Sequence, residues 1–125
     1  MNINKKIEPS LELKISDWEL DFYSRPIIEE NGKKRWELII SSKRSYKTKG
    51  IFLWNKKCPA NEVNSIWLTK ALNEALNEAK KEGWAKPSIV RFWRTSMKSI
   101  IKKSLEAVNI AVSYTHLTLP TICSV

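Results

Sequence analysis

Histidine and cysteine are scarce in this sequence. One histidine (His116) and two cysteines (Cys58 and Cys123) occur in 125 residues. That supply leaves little for a histidine–cysteine zinc site or a disulfide framework. No apolar run approaches the ~18 residues a bilayer-spanning helix needs. The opening MNINKKIEPSLELK lacks the apolar stretch of a secretory signal. Negative charge is also in deficit. Lys and Arg number 22 against 13 Asp and Glu, for a net charge of +9. Tryptophan, by contrast, is abundant, with six residues in a chain long enough for one domain. A basic, Trp-rich, His-poor domain points first to a polyanionic partner.

The last stretch has a different character. Residues 112–121 read VSYTHLTLPT. One back-translation of this string matches a transposase mosaic end followed by a common sequencing adapter. The same frame continues through Ile122 and ends, after Val125, on a stop codon. Residues 111–125 are therefore read as a non-native, adapter-derived tail, and the native fragment as truncated after Ile110. The tail contains His116 and Cys123 but no charge, so residues 1–110 hold Cys58, all six tryptophans and the whole +9. With no histidine in that part, a Ser–His–Asp triad, a Cys–His dyad and a His/Cys metal cluster are all excluded from it. No catalytic residue, metal or cofactor is expected.

Along the chain, residues 1–16 read as a flexible polar segment interrupted by Pro9. Trp18–Tyr23 alternates apolar and polar residues as a half-buried strand does. Pro26 bends its exit, and Asn31-Gly32 is a hairpin turn. Arg35–Ser41 is the second strand, with Trp36, Leu38 and Ile40 inward. Tyr46–Trp54 is the third, loosened near Gly50. Trp67, Leu68, Ala71, Leu72, Ala75, Leu76 and Ala79 recur at helical spacing, with Asn61 or Asn64 as cap and Gly83 as stop. Ile89–Trp93 is a short strand. Ser96 caps a second helix whose stripe is Met97, Ile100, Ile101, Leu105 and Val108. Asn109-Ile110 begins a further strand. The order predicts an α/β (α+β) fold: a three-stranded antiparallel meander, then α-β-α, in a ribonuclease H-like or restriction-endonuclease-like layout, truncated.

Charge is segmented: −3 over residues 1–32, +8 over 33–57, −1 over 58–85 and +5 over 86–111. Clustered cations neutralise phosphates. Interleaved aromatics suit single-stranded bases, which stack on rings while cations hold the backbone. The competing explanation is a solvated sheet face in a Lys-rich protein, since Lys outnumbers Arg 17 to 5. Arg25, Arg91 and Arg94 resist it better, because an AT-rich genome tends to replace dispensable Arg with Lys, and Arg binds bidentately. The candidate RNA-binding residues are Tyr23, Arg25, Lys43, Arg44, Lys47, Lys49, Trp54, Lys56, Lys57, Arg91 and Arg94. Trp54 is the better stacking candidate, whereas Trp18, Trp36 and Trp67 read as core. Asp21 reads as an ion-pair partner of Arg25 or Arg91. The sharper alternative makes it a metal carboxylate on the first strand, aided by Glu74 or Glu78. Two-metal chemistry needs several convergent acids, and the fourth strand offers Arg91 and Arg94 instead. Cys58 reads as a small buried residue.

Four strings then come in order: WELDFYSRPI (Trp18–Ile27), NGKKRWELII (Asn31–Ile40), CP…VNSIWL (Cys58–Leu68) and PSIVRFWRTSM (Pro87–Met97). Together they resemble the Tab-two family of plants, algae and cyanobacteria, over Asp17 to about Ile110. The family's motifs fall on Trp18, Asp21, Phe22, Tyr23, Arg25 and Pro26, on Trp36 and Glu37, on Asn64, Ser65, Trp67 and Leu68, and on Arg91, Phe92 and Arg94. Trp93 departs from the pattern, which has a smaller aromatic there, and the Ser41–Lys49 loop is unusually Lys-rich. The resemblance implies a domain over residues 17–110 of a longer protein. It implies a non-enzymatic RNA-binding factor that supports translation of a photosystem I core-subunit message. Its partners would be single-stranded RNA in a messenger leader and photosystem assembly or translation proteins. It implies a cyanobacterial cytoplasmic location, with thylakoid association but no stable membrane insertion. A degenerate metal-dependent nuclease and a protein-interaction module in photosystem assembly are the alternatives.

Overall fold

A computed structural model of the chain describes residues 13–28, 30, 32–42 and 50–114. The strands are β1 (Trp18–Ile28), β2 (Lys34–Ser42), β3 (Leu53–Cys58), β4 (Ile89–Phe92) and β5 (Ala111–Tyr114), and the helices are α1 (Ser65–Lys81) and α2 (Lys98–Ala107). The sheet order is β3-β2-β1-β4-β5. β1, β2 and β3 form an antiparallel meander, and β4 and β5 run parallel to β1. The expected α/β fold is found, with the antiparallel meander followed by alternating helices and strands.

Alternation explains the layering. Trp18, Leu20 and Phe22 of β1, Leu38 and Ile40 of β2, and Val90 and Phe92 of β4 are all buried on one face. Both helices cover that face. A strand–helix–parallel strand crossover is right-handed, so two successive crossovers stepping the same way put α1 and α2 on the same side. α1 contributes Leu68, Ala71, Leu72, Ala75 and Ala79, and α2 contributes Ile101 and Leu105. The small residues of α1 let the helices approach closely. The buried Ser104 hydroxyl lies 2.9 Å from the Ile100 carbonyl and 3.1 Å from that of Ser65, which satisfies it at the helix–helix seam. Aromatic rings fill the rest. Trp18 stacks on Phe52 at 5.2 Å, and Phe22 lies between Trp36 and Trp67 at 5.8 and 5.4 Å. No helix is long and apolar enough to cross a membrane, among the described residues.

Several boundaries differ from the sequence reading. β1 continues past Tyr23 to Ile28, and its register against β2 slips between Arg25 and Ile28. Pro26, with no N–H to donate, sits inside that slip. Asn31 of the expected hairpin turn lies outside the described residues; Gly32 has φ 80°. Among the described residues β3 covers Leu53–Cys58 and runs through Lys56 and Lys57, beyond the expected end at Trp54; residues 46–49 of the expected strand lie outside the described residues. The polar run Asn55–Lys57 hid it, yet an edge strand tolerates such residues because only half of its side chains need burial. Asn64, not Asn61, caps α1, accepting a 2.8 Å bond from the Trp67 N–H. Ser96 does not cap α2. It lies in a 3-10 turn, Thr95–Met97, that leads into the helix without a side-chain cap. At the N-terminal side, Lys14 bridges to Trp84 through backbone bonds of 2.8 Å to Gly83 and Ala85, within the stretch read as flexible.

The last strand falls on Ala111–Tyr114 rather than starting at Asn109, which instead ends α2 with φ 58°. These residues begin the segment read as adapter-encoded. Val112 and Tyr114 pack on the core, with the Tyr114 ring 5.2 Å from that of Phe92. Edge pairing is made by backbone groups, so it asks only for β-compatible side chains.

Candidate nucleic-acid interface

The second face of the sheet carries no helix among the described residues. Strand parity assigns its occupants. Glu19, Asp21, Tyr23 and Arg25 alternate with the buried residues of β1, and Arg35, Glu37, Ile39 and Ser41 with those of β2. The register aligns Tyr23 with Glu37 and Glu37 with Lys57, and aligns Arg25 with Arg35. Arg91 joins the face beside Glu19. A shallow groove of about 260 Å³ runs between β1 and the β4 exit, with Tyr23, Ile39 and Trp93 among its lining residues.

Ion pairs organise this face. Arg94 donates to both carboxylate oxygens of Asp21, Nε to Oδ1 at 2.7 Å and Nη2 to Oδ2 at 2.9 Å. Its guanidinium also lies 5.5 Å from the Tyr23 ring centre. Arg91 donates to Asp17 at 2.6 Å. Arg25 donates to Glu37 Oε1 at 2.5 Å, and the Asn55 amide donates to Oε2 at 2.8 Å. Asp21 is thus an ion-pair partner, but of Arg94, not of Arg25 or Arg91. Those two arginines are held by Glu37 and Asp17. The bidentate fork matches the carboxylate plane, which a Lys at 94 would not reproduce.

Glu37 is the buried member of this network. The hydrogen bond from Arg25, then that from Asn55, holds its carboxyl below the usual carboxylate range. A lowered pKa contributes stability that is complete above the unfolded-state value of about 4.3 and is lost as pH falls through the native value. Glu37→Gln is therefore expected to lower the melting temperature near neutrality and to flatten its fall on acidification. Melting followed by circular dichroism across about pH 2–6 checks this. An acid limb identical to that of the unaltered chain would show that another group sets it.

The candidate residues divide by strand parity. Tyr23, Arg25, Lys57 and Arg91 lie on the open face, with Arg94 at its margin. Trp54 and Lys56 lie on the helix side. Trp54 is half-buried and packed against the core, and Lys56 is paired with Glu74 of α1 at 2.6 Å. Lys43, Arg44, Lys47 and Lys49 lie outside the described residues, as does the Pro26 side chain. Of the motif positions, Trp18, Phe22, Leu68 and Phe92 are core, with Trp36 and Trp67 packed on it. Asn64 is the helix cap, and the Ser65 carbonyl faces Ser104 and Thr69. Asp21 and Glu37 are the motif's acids on the open face.

Glu74 and Glu78 do not converge on Asp21. Glu74 pairs with Lys56, and Glu78 lies 3.3 Å from Lys81. Among the described residues no group of three or more His, Cys, Asp or Glu side chains comes together to hold a metal. Cys58 is buried, and burial, aided by the nearby Glu62 carboxylate, pushes its thiol up to about 12. The sequence reading left out Lys33, Lys34 and Arg35. They line, with Lys57, a recess of about 380 Å³ where β2 begins and β3 ends. The string KKR after the hairpin turn was the available signal.

The family described as "RNA-binding protein Tab2/Atab2 N terminal" matches residues 17–121. The chain belongs to this Tab2-like N-terminal family. The match spans the sheet and both helices and extends past Ile110. The chain is 38% identical over 90 residues to the chloroplastic protein TAB2 homolog of Zea mays, covering 72% of this chain and 21% of that protein. It is 37% identical over 91 residues to the Arabidopsis thaliana homolog, covering 72% and 22%. The Tab2-like chain thus spans about a fifth of the length of these curated relatives. In fold it is similar to a chain of the simian T-cell lymphotropic virus intasome in complex with PP2A regulatory subunit B56 gamma, solved by cryo-EM. The TM-score is 0.57 at 13% identity, over 87% of this chain and 34% of that one. At that identity the likeness concerns fold alone.

Proposed function

We propose that this Tab2-like domain is a non-enzymatic RNA-binding module, and that the longer protein it represents supports translation of a photosystem I core-subunit message. One observation carries the reading. A chain of a family described as RNA-binding leaves one sheet face without a helix among the described residues, and on that face Tyr23 and Trp93 line a groove, with the Arg94 guanidinium 5.5 Å from the Tyr23 ring centre. Exposed rings with an arginine against one of them suit splayed single-stranded bases. Both oxygens of Asp21 are occupied by Arg94, which favours binding over metal-assisted cleavage. The expected ligand is single-stranded RNA in a messenger leader. Translation or photosystem assembly proteins are further partners, in a cyanobacterial cytoplasm or at the thylakoid surface.

The Tyr23→Ala/Trp93→Ala double variant tests the groove. Each lost base stack costs about 1–3 kcal/mol, so affinity for a single-stranded oligoribonucleotide is expected to fall at least about tenfold, with little change in melting temperature. Unchanged affinity in a folded variant would remove the groove from the interface. Magnesium-dependent RNA cleavage that is lost in Asp21→Ala would overturn the non-enzymatic reading.

A further inference from the structure

The +5 segment over residues 86–111 holds six cations and one acid, Glu106. Ion pairing divides the cations. Asp17 holds Arg91, and Asp21 holds Arg94. The four lysines have no carboxylate partner among the described residues. Lys86 lies apart, in the wall of a pocket at the far end of both helices. Lys98, Lys102 and Lys103 are all exposed on α2, whose opposite side puts Ile101 and Leu105 in the core. Glu106 follows Lys102 by one helical turn yet pairs with neither it nor Lys103 among the described residues. Every exposed side chain of α2 is Lys, Ser, Glu or Ala. Such a face has no apolar anchor for a bilayer, and its unpaired cations suit phosphates.

α2 also starts where the groove ends. Trp93 lines the groove, Arg94 pairs with Asp21 beside it, and the 3-10 turn Thr95–Met97 leads straight into Lys98. Such a turn rises about 2 Å per residue, so it separates Arg94 from the start of α2 by roughly 6 Å. The turn is anchored at Tyr114. Thr95 Oγ1 and the Tyr114 hydroxyl lie 2.5 Å apart, and Lys98 Nζ lies 4.6 Å from the ring centre. The ring attracts the ammonium without neutralising it. The groove itself offers rings but no unpaired cation, since Glu19 lines it and Arg94 is held by Asp21. Bases stacked there need cations beyond the groove for their phosphates. We propose that Lys98, Lys102 and Lys103 supply them, so that RNA leaving the groove at Trp93 turns over the end of β4 and lies along the outer face of α2. This is a second set of phosphate contacts, on the β4 side of the sheet, and it rests on the RNA-binding reading for the source of the phosphates.

The test uses the full 125-residue chain and its Lys102→Gln/Lys103→Gln variant, with both altered side chains exposed. Amide shifts are read first by NMR on the unaltered chain, with single-stranded RNA of about three nucleotides, enough for the two rings, and of about twelve. The short RNA is expected to move groove amides alone, and the long one those of residues 98–106 as well. The variant is expected to bind the long RNA roughly tenfold more weakly, with the slope of log affinity against log salt smaller by about 1.4 for two lost phosphate contacts. The short RNA should bind both chains alike, and Lys102→Arg/Lys103→Arg should restore the slope. Long RNA that moves the groove amides but leaves those of α2 unmoved overturns the proposal, whether or not the variant folds, and leaves the RNA-binding reading intact. A chain that binds neither RNA overturns both. Shifts along α2 produced by phosphatidylglycerol vesicles and not by RNA assign the face to a membrane surface and overturn the proposal.

Discussion

Trp18→Ala is expected to remove about 3–5 kcal/mol of stability, a large share of the roughly 5–15 kcal/mol that holds a domain of this size together. Trp18 is fully buried at the start of β1, stacked on Phe52, and pairs with Ser42 on one side and Val90 on the other. It therefore stands where the antiparallel meander meets the parallel half of the sheet. Deleting its ring opens a cavity under both, and neither can collapse without breaking the register of the other. Trp18→Phe should cost less, about 1–3 kcal/mol. It keeps an aromatic partner for Phe52 and removes an indole Nε1 that has no hydrogen-bond partner among the described residues. Denaturant unfolding followed by circular dichroism separates the two variants. Losses below about 1 kcal/mol for Trp18→Ala would show that the junction is not a keystone.

RNA affinity is expected to fall by about a hundredfold between about 50 and 200 mM salt, if about five phosphates are neutralised at about 0.7 in log–log slope each. The cations counted are Lys33, Lys34, Arg35, Lys57 and Arg25, which converge at one end of the sheet. Arg91 and Arg94 are left out because they lie away from that end, held beside the start of β1 by Asp17 and Asp21. Arg94→Lys should then lower the melting temperature more than it alters the salt slope, since it breaks a bidentate clamp between the β4 exit and β1. A titration series by fluorescence anisotropy at fixed pH measures the slope. A flat series would show that counterion release does not drive binding, and the protein-interaction reading would replace the RNA one.

Much of the fold is legible in the sequence. The α1 stripe from Trp67 to Ala79 names its own buried face, since only a helix puts those spacings on one side. The same holds for Met97, Ile101 and Leu105 in α2. β3 was misplaced because its alternation is carried by Asn55, Lys56 and Lys57, which hydrophobicity cannot see. The family motif was legible because much of it is core: Trp18, Phe22, Leu68 and Phe92 are constrained by packing. The candidate interface was less so, because surface charge leaves no period behind.

By itself the sequence determined the element order, the inward residues of each helix and the two segments that hold the excess charge, because these depend on spacing along one chain. Only the tertiary structure decided which cations pair with which acids. Arg94 reaches Asp21 across 73 positions of sequence, and Lys56 is drawn to Glu74 on the helix side while its neighbour Lys57 faces the recess. Strand parity separates adjacent residues onto opposite faces. Sheet order and register then choose their partners, and both arise from long-range pairing that local sequence does not encode.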